Sequence, residues 1–341
     1  MTPLPAKPKN KFAKERFSLG LDIGSSTVKL VKLRFCKDTV ELCDFALEPA
    51  SLDLAPLVKK ITEAQGINRV NLSVSGTSTV IRYVNFPRMS EEELAQALKF
   101  EAQKHIPFSL DSVNLDSSIL KEELPDNKML IIIAAVKKDL LGQRLKVIED
   151  AGLKPNIVDI DSLALVNDFN FNHHQESDAF KNKAVALVNI GASQSNLSIL
   201  ESGIPRLSRD IFIAGNSFTQ KIADTLTLEL KAAEALKLNP DKERLDKITA
   251  AVEAGVANLG AEIRTSFDYY ESQSASSVVK IFLSVGSSNF PGLKDMLANL
   301  LSIEVEAWDP FKKIGVYANI DSEKVKARSA ELAVAVGLAL R

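Results

Sequence analysis

The sequence predicts an α/β fold built from two related halves, and three observations carry that prediction. Segments rich in Val, Leu and Phe alternate with segments whose apolar residues recur every three or four positions. The stretch GLDIGSSTVKLVKL, from Gly20, aligns with LVNIGASQSNLSIL, from Leu187, as strand, glycine turn and strand about 167 positions apart. The 341 residues, 45% hydrophobic and 25% charged, match ordinary globular usage at a length that suits two domains.

Residues 1–16 interleave Pro3, Pro5 and Pro8 with lysines, bury too little apolar surface to offset ordering entropy, and read as a flexible basic tail. From Phe17 the segments SLGLDIG, STVKLVKLRF and VELCDFALEP form consecutive antiparallel strands. Leu54 to Gln65 reads as a helix closed by Gly66, and RVNLSVSG with STVIRYVNF supplies two more strands of the same lobe. Ser90-Glu91-Glu92-Glu93 is a capping box that starts a helix, and Pro107 stops it. SVNLDSSIL and KMLIIIAAV follow as strands, then Lys138 to Asp150 as an amphipathic helix, so residues 85–156 form an α-β-β-α insert. After the second glycine-turn hairpin, Asn216 to Leu238 and Asp241 to about Gln273 are helical, VVKIFLSVG is a buried strand, and Pro291 to Leu301 and Ser329 to Leu340 are helices.

Composition excludes several functions. Lys and Arg number 42 against 44 Asp and Glu, a net charge of −2, so the chain has no overall positive field for nucleic acid. The longest apolar run, Met129 to Val136, is far short of the ~20 residues of a membrane span, and no signal-peptide core follows the basic start, which predicts a cytoplasmic protein. Cys36 and Cys43 have neither zinc-knuckle nor redox spacing and are expected reduced. His173-His174 falls in a polar stretch and reads as surface loop, Trp308 reads as a packing residue, and no Ser-His-Asp or Cys-His set can be assembled.

The chemistry concentrates in glycine turns. Asp22-Ile-Gly24-Ser25-Ser26-Thr27-Val-Lys29 offers hydroxyls and amides for phosphate oxygens, a lysine point charge and a carboxylate for the water shell of Mg²⁺. Alone, this turn reads equally as a plain hairpin turn. Its echo at Ile190-Gly191-Ala192-Ser193 favours two facing turns that clamp a polyphosphate. A third turn around Gly286 joins a buried strand to a helix whose N-terminus suits an anion, or serves as an ordinary loop.

Together these segments resemble the actin-like ATPase superfamily, closest to the PilM family of type IV pilus assembly proteins, with FtsA more distant. The resemblance runs from Phe17 to the end through LGLDIGSSTVKLVKL, FEAQKHIPFSLDSVNLD, VDIDSLALVND, VALVNIGASQSNLSIL, FLSVGSSNFPGL, WDPFKKI and ELAVAVGLALR. It implies a two-lobed actin/ribonuclease-H-like fold with ATP or ADP and Mg²⁺ in the cleft. The implied first-lobe core is 17–84 and 157–183, with 325–341 returning to it, and the extra subdomain is 85–156. The second-lobe core is 184–210 and 275–324, with a helical subdomain at 211–274.

Carried over, Gly24, Ser25, Ser26 and Lys29 hold phosphates, Asp22 organises the metal, and Asn189, Gly191 and Ser193 form the opposing turn. Gly286 and Ser287 approach the nucleoside, Glu234 and Lys237 contact adenosine, and Asp161 orients the attacking water. Two residues depart from the family. Asn189 stands where an aspartate is usual, and a neutral amide supplies no charge to a metal, so hydrolysis should suffer more than binding. Val285 replaces a glycine where bare backbone would let the nucleoside close in, which weakens affinity.

The expected role is a nucleotide-binding scaffold of type IV pilus assembly or a related secretion system. It would take the cytoplasmic N-terminal segment of a PilN-like inner-membrane protein in a groove between the first lobe and the extra subdomain, meeting the membrane only through that partner. The resemblance also admits contact with motor ATPases and self-association, and implies no nucleic-acid partner. The alternatives are an active ATPase with a nucleotide-driven conformational or polymerisation cycle, an FtsA-like division protein and, more remotely, a sugar kinase.

Overall fold

The computed structural model describes residues 15–173, 183–286 and 290–341, with the side chain of Lys99 left aside. The expected tail thus lies outside the described residues up to position 14, and Arg16 already begins a strand.

The first lobe opens with β1 (Arg16–Ile23), β2 (Thr27–Phe35) and β3 (Val40–Pro49), an antiparallel meander. Helix α1 (Leu54–Thr62) ends in a tight turn at Gly66, whose φ of 66° suits glycine. β4 (Arg69–Val74) then lies parallel to β1. β5 (Thr79–Pro87), α2 (Glu91–His105), β6 (Val113–Leu124) and β7 (Lys128–Lys137) follow, then α3 (Lys138–Asp150), β8 (Lys154–Ile160) and α4 (Asp161–His173).

The second lobe repeats the opening as β9 (Ala184–Ile190), β10 (Ser195–Glu201) and β11 (Ile204–Ile211), again antiparallel. Three helices come next, α5 (Gly215–Leu226), α6 (Leu230–Leu238) and α7 (Leu245–Gln273). β12 (Val278–Val285), α8 (Leu293–Leu301), β13 (Glu304–Ala307), β14 (Gly315–Val316), α9 (Ser322–Arg328) and α10 (Ala333–Ala339) complete the chain.

The sheet orders are β14-β3-β2-β1-β4-β8 and β11-β10-β9-β12-β13, with β5-β7-β6 apart. In each large sheet the first strand is central, carries its antiparallel hairpin on one side and parallel strands on the other, which is the duplicated actin/ribonuclease-H-like plan. β9 and β10 are buried along nearly their whole length because helices cover one face and the first lobe the other.

Helices α4 and α10 join the lobes. Ala164, Leu165 and Phe169 of α4 and Ala333, Val334 and Leu338 of the C-terminal segment pack with Val185, Leu187, Leu200, Phe282 and Trp308 of the second lobe. Gly337 allows α10 to lie backbone to backbone on α4, since a Cβ there would sit 1.8 Å from the Ala164 carbonyl oxygen. Among the described residues no helix is long and apolar enough to cross a membrane.

Several boundaries differ from the sequence reading. β5 pairs with β7 instead of joining β4, because the far edge of β4 is taken by β8, so the insert begins in front of β5 and not at 85. Helix α3 belongs to the first lobe, where Ile148 joins Leu19, Val58 and Leu72 in one core. β14 adds to β3 of the first sheet, so the second-lobe core expected over 275–324 gives this strand to the first lobe. Thr227, at φ 53°, splits the helix expected over 216–238 into α5 and α6. His173 is buried at the end of α4, its ring stacked 4.6 Å from Phe169, because α4 continues through it; His174 lies outside the described residues. Trp308 is buried and meets Phe169 edge to face, as a packing residue.

Candidate functional site

The two glycine turns share one construction. Gly24 N donates to Thr27 O at 3.1 Å and Gly191 N donates to Gln194 O at 3.0 Å. A Cβ at Gly24 would sit 2.8 Å from Thr27 O, and one at Gly191 would sit 2.8 Å from Gln194 O. Neither glycine has a left-handed φ; each is required by the close approach of its own turn. The turns face each other across the lobes, and Ser25 Oγ donates to Ser193 Oγ at 2.9 Å.

Strand register places the charges. Asp22 and Lys29 are directly opposite on β1 and β2, and their side chains pair at 2.7 Å. Burial opposes the lysine's charge, but the attraction and hydrogen bond of Asp22 outweigh it, and Lys29 titrates above the usual lysine range. Asp161 opens α4 at the C-terminal end of β8. Burial first, and the charge of Asp22 second, push its carboxyl up to about 6.

A cavity of about 200 Å³ is lined by Asp22, Gly24, Ser25, Ser26, Lys29, Asp161, Asn189, Gly191, Ser193 and Gly286. Ten of the predicted positions therefore meet at one place. Val285 ends β12 beside it, and Gly286 N donates to Ile190 O at 2.9 Å, tying the third turn to the second. Ser287 lies outside the described residues.

Glu234 and Lys237 do not line this cavity. The Lys237 ammonium is buried among Glu234 (2.7 Å), Thr219 Oγ1 (2.9 Å) and Gly215 O (3.1 Å), so the pair braces the first turn of α5. That turn is itself hung on the second glycine turn, through Gly215 N to Gly191 O and Asn216 N to Ala192 O. Sequence reasoning missed Ser75, Arg144, Gln194 and Asn196, which also line the cavity. Only Asn196 carried a signal, being seven positions after Asn189 and so opposite it across the hairpin.

A larger cavity, about 1020 Å³, lies at the N-terminal ends of the parallel strands, among Arg16, Lys59, Arg69, Asn71 and Asn156. Its amides bond one another, Asn156 to Asn71 at 2.8 Å and Asn71 to Leu338 O at 2.9 Å, and converge on no reacting group. The smaller cleft sits at the C-terminal ends of the strands, where open α/β sheets bind ligands.

A family model described as type IV pilus assembly protein PilM matches residues 20–341. The chain belongs to the PilM family. Its fold superposes on a chain of a solved PilM-PilN type IV pilus biogenesis complex with a TM-score of 0.84 at 26% identity, covering 95% of this chain and 98% of that one. It also resembles the ethanolamine utilization protein EutJ of Carboxydothermus hydrogenoformans, with a TM-score of 0.56, 14% identity and coverage of 97% and 91%, a likeness of fold alone. As a PilM-family protein, the chain has the actin-like two-lobed architecture with the three-stranded insert.

Proposed function

We propose that this PilM-family protein is a nucleotide-responsive scaffold of type IV pilus assembly that binds the cytoplasmic N-terminal segment of a PilN-like inner-membrane protein. The observation that carries the reading is the near-complete overlay on a chain of a PilM-PilN complex, together with the family match over residues 20–341. The segment docks in an extended conformation between α3 and the three-stranded sheet, beside the apolar junction of Val74, Ile81, Ile132, Ile160 and Leu163. Attachment to the membrane is indirect, through this partner.

The cleft is read as the nucleotide site. The hydroxyls of Ser25, Ser26 and Ser193, the Lys29 ammonium and the turn backbone have the chemistry phosphate oxygens require, and Asp22 and Asp161 have the hard oxygens Mg²⁺ prefers. The donors fit; the space does not, as the lobes stand. Ligand pockets occupy roughly 300–1,000 Å³, and the cleft offers about 200 Å³ with Ser25 bonded to Ser193 across it. Entry of a nucleotide therefore parts that bond, after which Ser25, Ser26, Ser193 and Lys29 hold phosphates, Asp22 the metal's water shell, and Gly286 the nucleoside side. Bound Mg²⁺ would supply charge neutralisation at the phosphates. Glu234 and Lys237 act from behind, by fixing α5.

Hydrolysis is expected to be weak. Asn189 faces the cleft with a neutral amide, and among the described residues the lining carries no carboxylate besides Asp22 and Asp161.

Calorimetric titration of the purified protein with a synthetic PilN N-terminal peptide, and separately with Mg-ATP, tests both parts. Saturable peptide binding with stoichiometry near one supports the scaffold. Absence of peptide binding, or steady-state phosphate release abolished by Asp22→Ala, sinks it in favour of the ATPase reading.

A further inference from the structure

The second sheet carries two polar rows across its strands, both ending outside the lobe. In the first, Asn189, Asn196 and Asp210 are directly opposite one another on β9, β10 and β11. Asn189 Nδ2 donates to Asn196 Oδ1 at 3.2 Å, and Asn196 Nδ2 donates to Asp210 Oδ1 at 2.7 Å. The other oxygen of Asp210 accepts the backbone N–H of Gly76, in the turn between β4 and β5, at 2.8 Å. The second row lies two residues along the same face: Ser198 and Ser208 are 2.9 Å apart, and the Ser208 Oγ lies 2.8 Å from the Tyr83 hydroxyl on β5.

The Gly76 turn is built to receive such a bond. Gly76 has φ +92°, a conformation that favours glycine, its carbonyl accepts from Thr79 N at 2.9 Å, and Thr79 is the first residue of β5. The row thus starts inside the cleft, where Asn189 and Asn196 line the cavity, and ends at the root of the three-stranded sheet.

The geometry points to a closure latch, in which Asn189 is a positioning residue that carries engagement of the cleft through Asn196 and Asp210 to the Gly76 turn and the three-stranded sheet. Direction follows from donor and acceptor counting. With one Nδ2 hydrogen committed to Asn196, the Asn189 side chain keeps its acceptor oxygen and a second N–H for the cleft. A ligand donor there, such as a metal-bound water, leaves the row intact and keeps the lobes closed on the insert. A ligand acceptor can take the second N–H; one that draws the whole amide into the cleft pulls Nδ2 off Asn196, loosens Asn196 on Asp210 and so frees Gly76. A carboxylate at 189 has no proton to donate, so the row depends on the amide. In this chain the amide therefore links the lobes instead of neutralising a metal. The identity of the ligand rests on the nucleotide reading above; the latch itself does not.

Amide hydrogen exchange on the full chain without nucleotide tests the relay. Asn189→Ala is expected to speed exchange of the Gly76 N–H and the first residues of β5 by about three- to tenfold, the change expected from losing one ordinary hydrogen bond, while α2 stays as in the parent. Acceleration below about threefold overturns the latch. Asn189→Asp, nearly the same shape without the donor, gives the same test if the alanine variant does not fold. Mg-ATP is then titrated into the parent: no binding, with faster exchange in the variants, overturns the nucleotide reading and leaves the latch standing. Slower Gly76 exchange on binding in the parent but not in Asn189→Ala supports both.

Discussion

Asp161→Asn removes a cleft carboxyl that burial holds far from its ordinary titration. In the folded chain that carboxyl is raised from 3.8 to about 6, first by burial and then by the charge of Asp22. At about 1.4 kcal/mol per unit the rise corresponds to about 3 kcal/mol of stability withheld when the group is ionised. The sign follows from proton counting. Between pH 3.8 and 6 the folded state holds more protons at this position than the unfolded state, so stability falls as pH rises through that window. The amide carries no such penalty. Asp161→Asn is therefore expected to stabilise the protein by up to about 3 kcal/mol at pH 7 and by almost nothing below pH 4. Urea midpoints of parent and variant at half-unit steps from pH 3.5 to 7.5 measure it. Parallel profiles for the two proteins across that range would refute the argument that burial and Asp22 govern this carboxyl.

Gly337→Ala drives a methyl into the Ala164 carbonyl, where only backbone can give way; a loss of about 3 kcal/mol or more and a lower Tm by scanning calorimetry are expected, and an unchanged Tm would contradict the helix contact. Lys237→Ala takes the one ammonium that Gly215, Thr219 and Glu234 share and should cost about 2 kcal/mol in chemical denaturation, with a loss below about 0.5 kcal/mol showing that the brace is idle. The Ser25→Ala, Ser193→Ala double variant loses only an exposed cross-lobe bond, so stability should hold within about 0.5 kcal/mol. Its affinity for Mg-ATP should fall about tenfold, and undiminished affinity would remove these hydroxyls from the site.

Local signals were legible wherever a residue type answers to its immediate neighbours. The Ser90 capping box closes as its spacing demands, with Ser90 N donating to Glu93 and Glu93 N donating to Ser90 Oγ. The paired glycine turns were readable because a close approach tolerates no Cβ at Gly24 or Gly191. The choice of partner was not readable. β5 alternates well enough to extend the first sheet, and only the pairing of β8 with β4 shows that the edge is occupied. The apolar stripe of α3 suits an insert or a lobe equally, and the contact of Ile148 with the first-lobe core decides it. The polar stretch around His173 suggested exposure, yet the ring stacks on Phe169 because α4, a helix the sequence reading did not assign, carries it into the interlobe core. The row of Asn189, Asn196 and Asp210 became visible only once strand register placed them opposite one another.

Helix α10 has a bearing on how the protein is made. Its residues Ala335, Val336 and Ala339, with Leu332 and Leu340 beside them, complete the core formed by Val31, Leu33 and Leu42 near the other end of the chain. The sheet strands of the second lobe, by contrast, all come from one stretch between Ala184 and Ala307. Yet Ala333, Val334 and Leu338 of the same segment also cover the second lobe's face around Leu187 and Phe282, so both lobes wait with exposed apolar surface until α10 is made, an interval in which chaperones find their substrate.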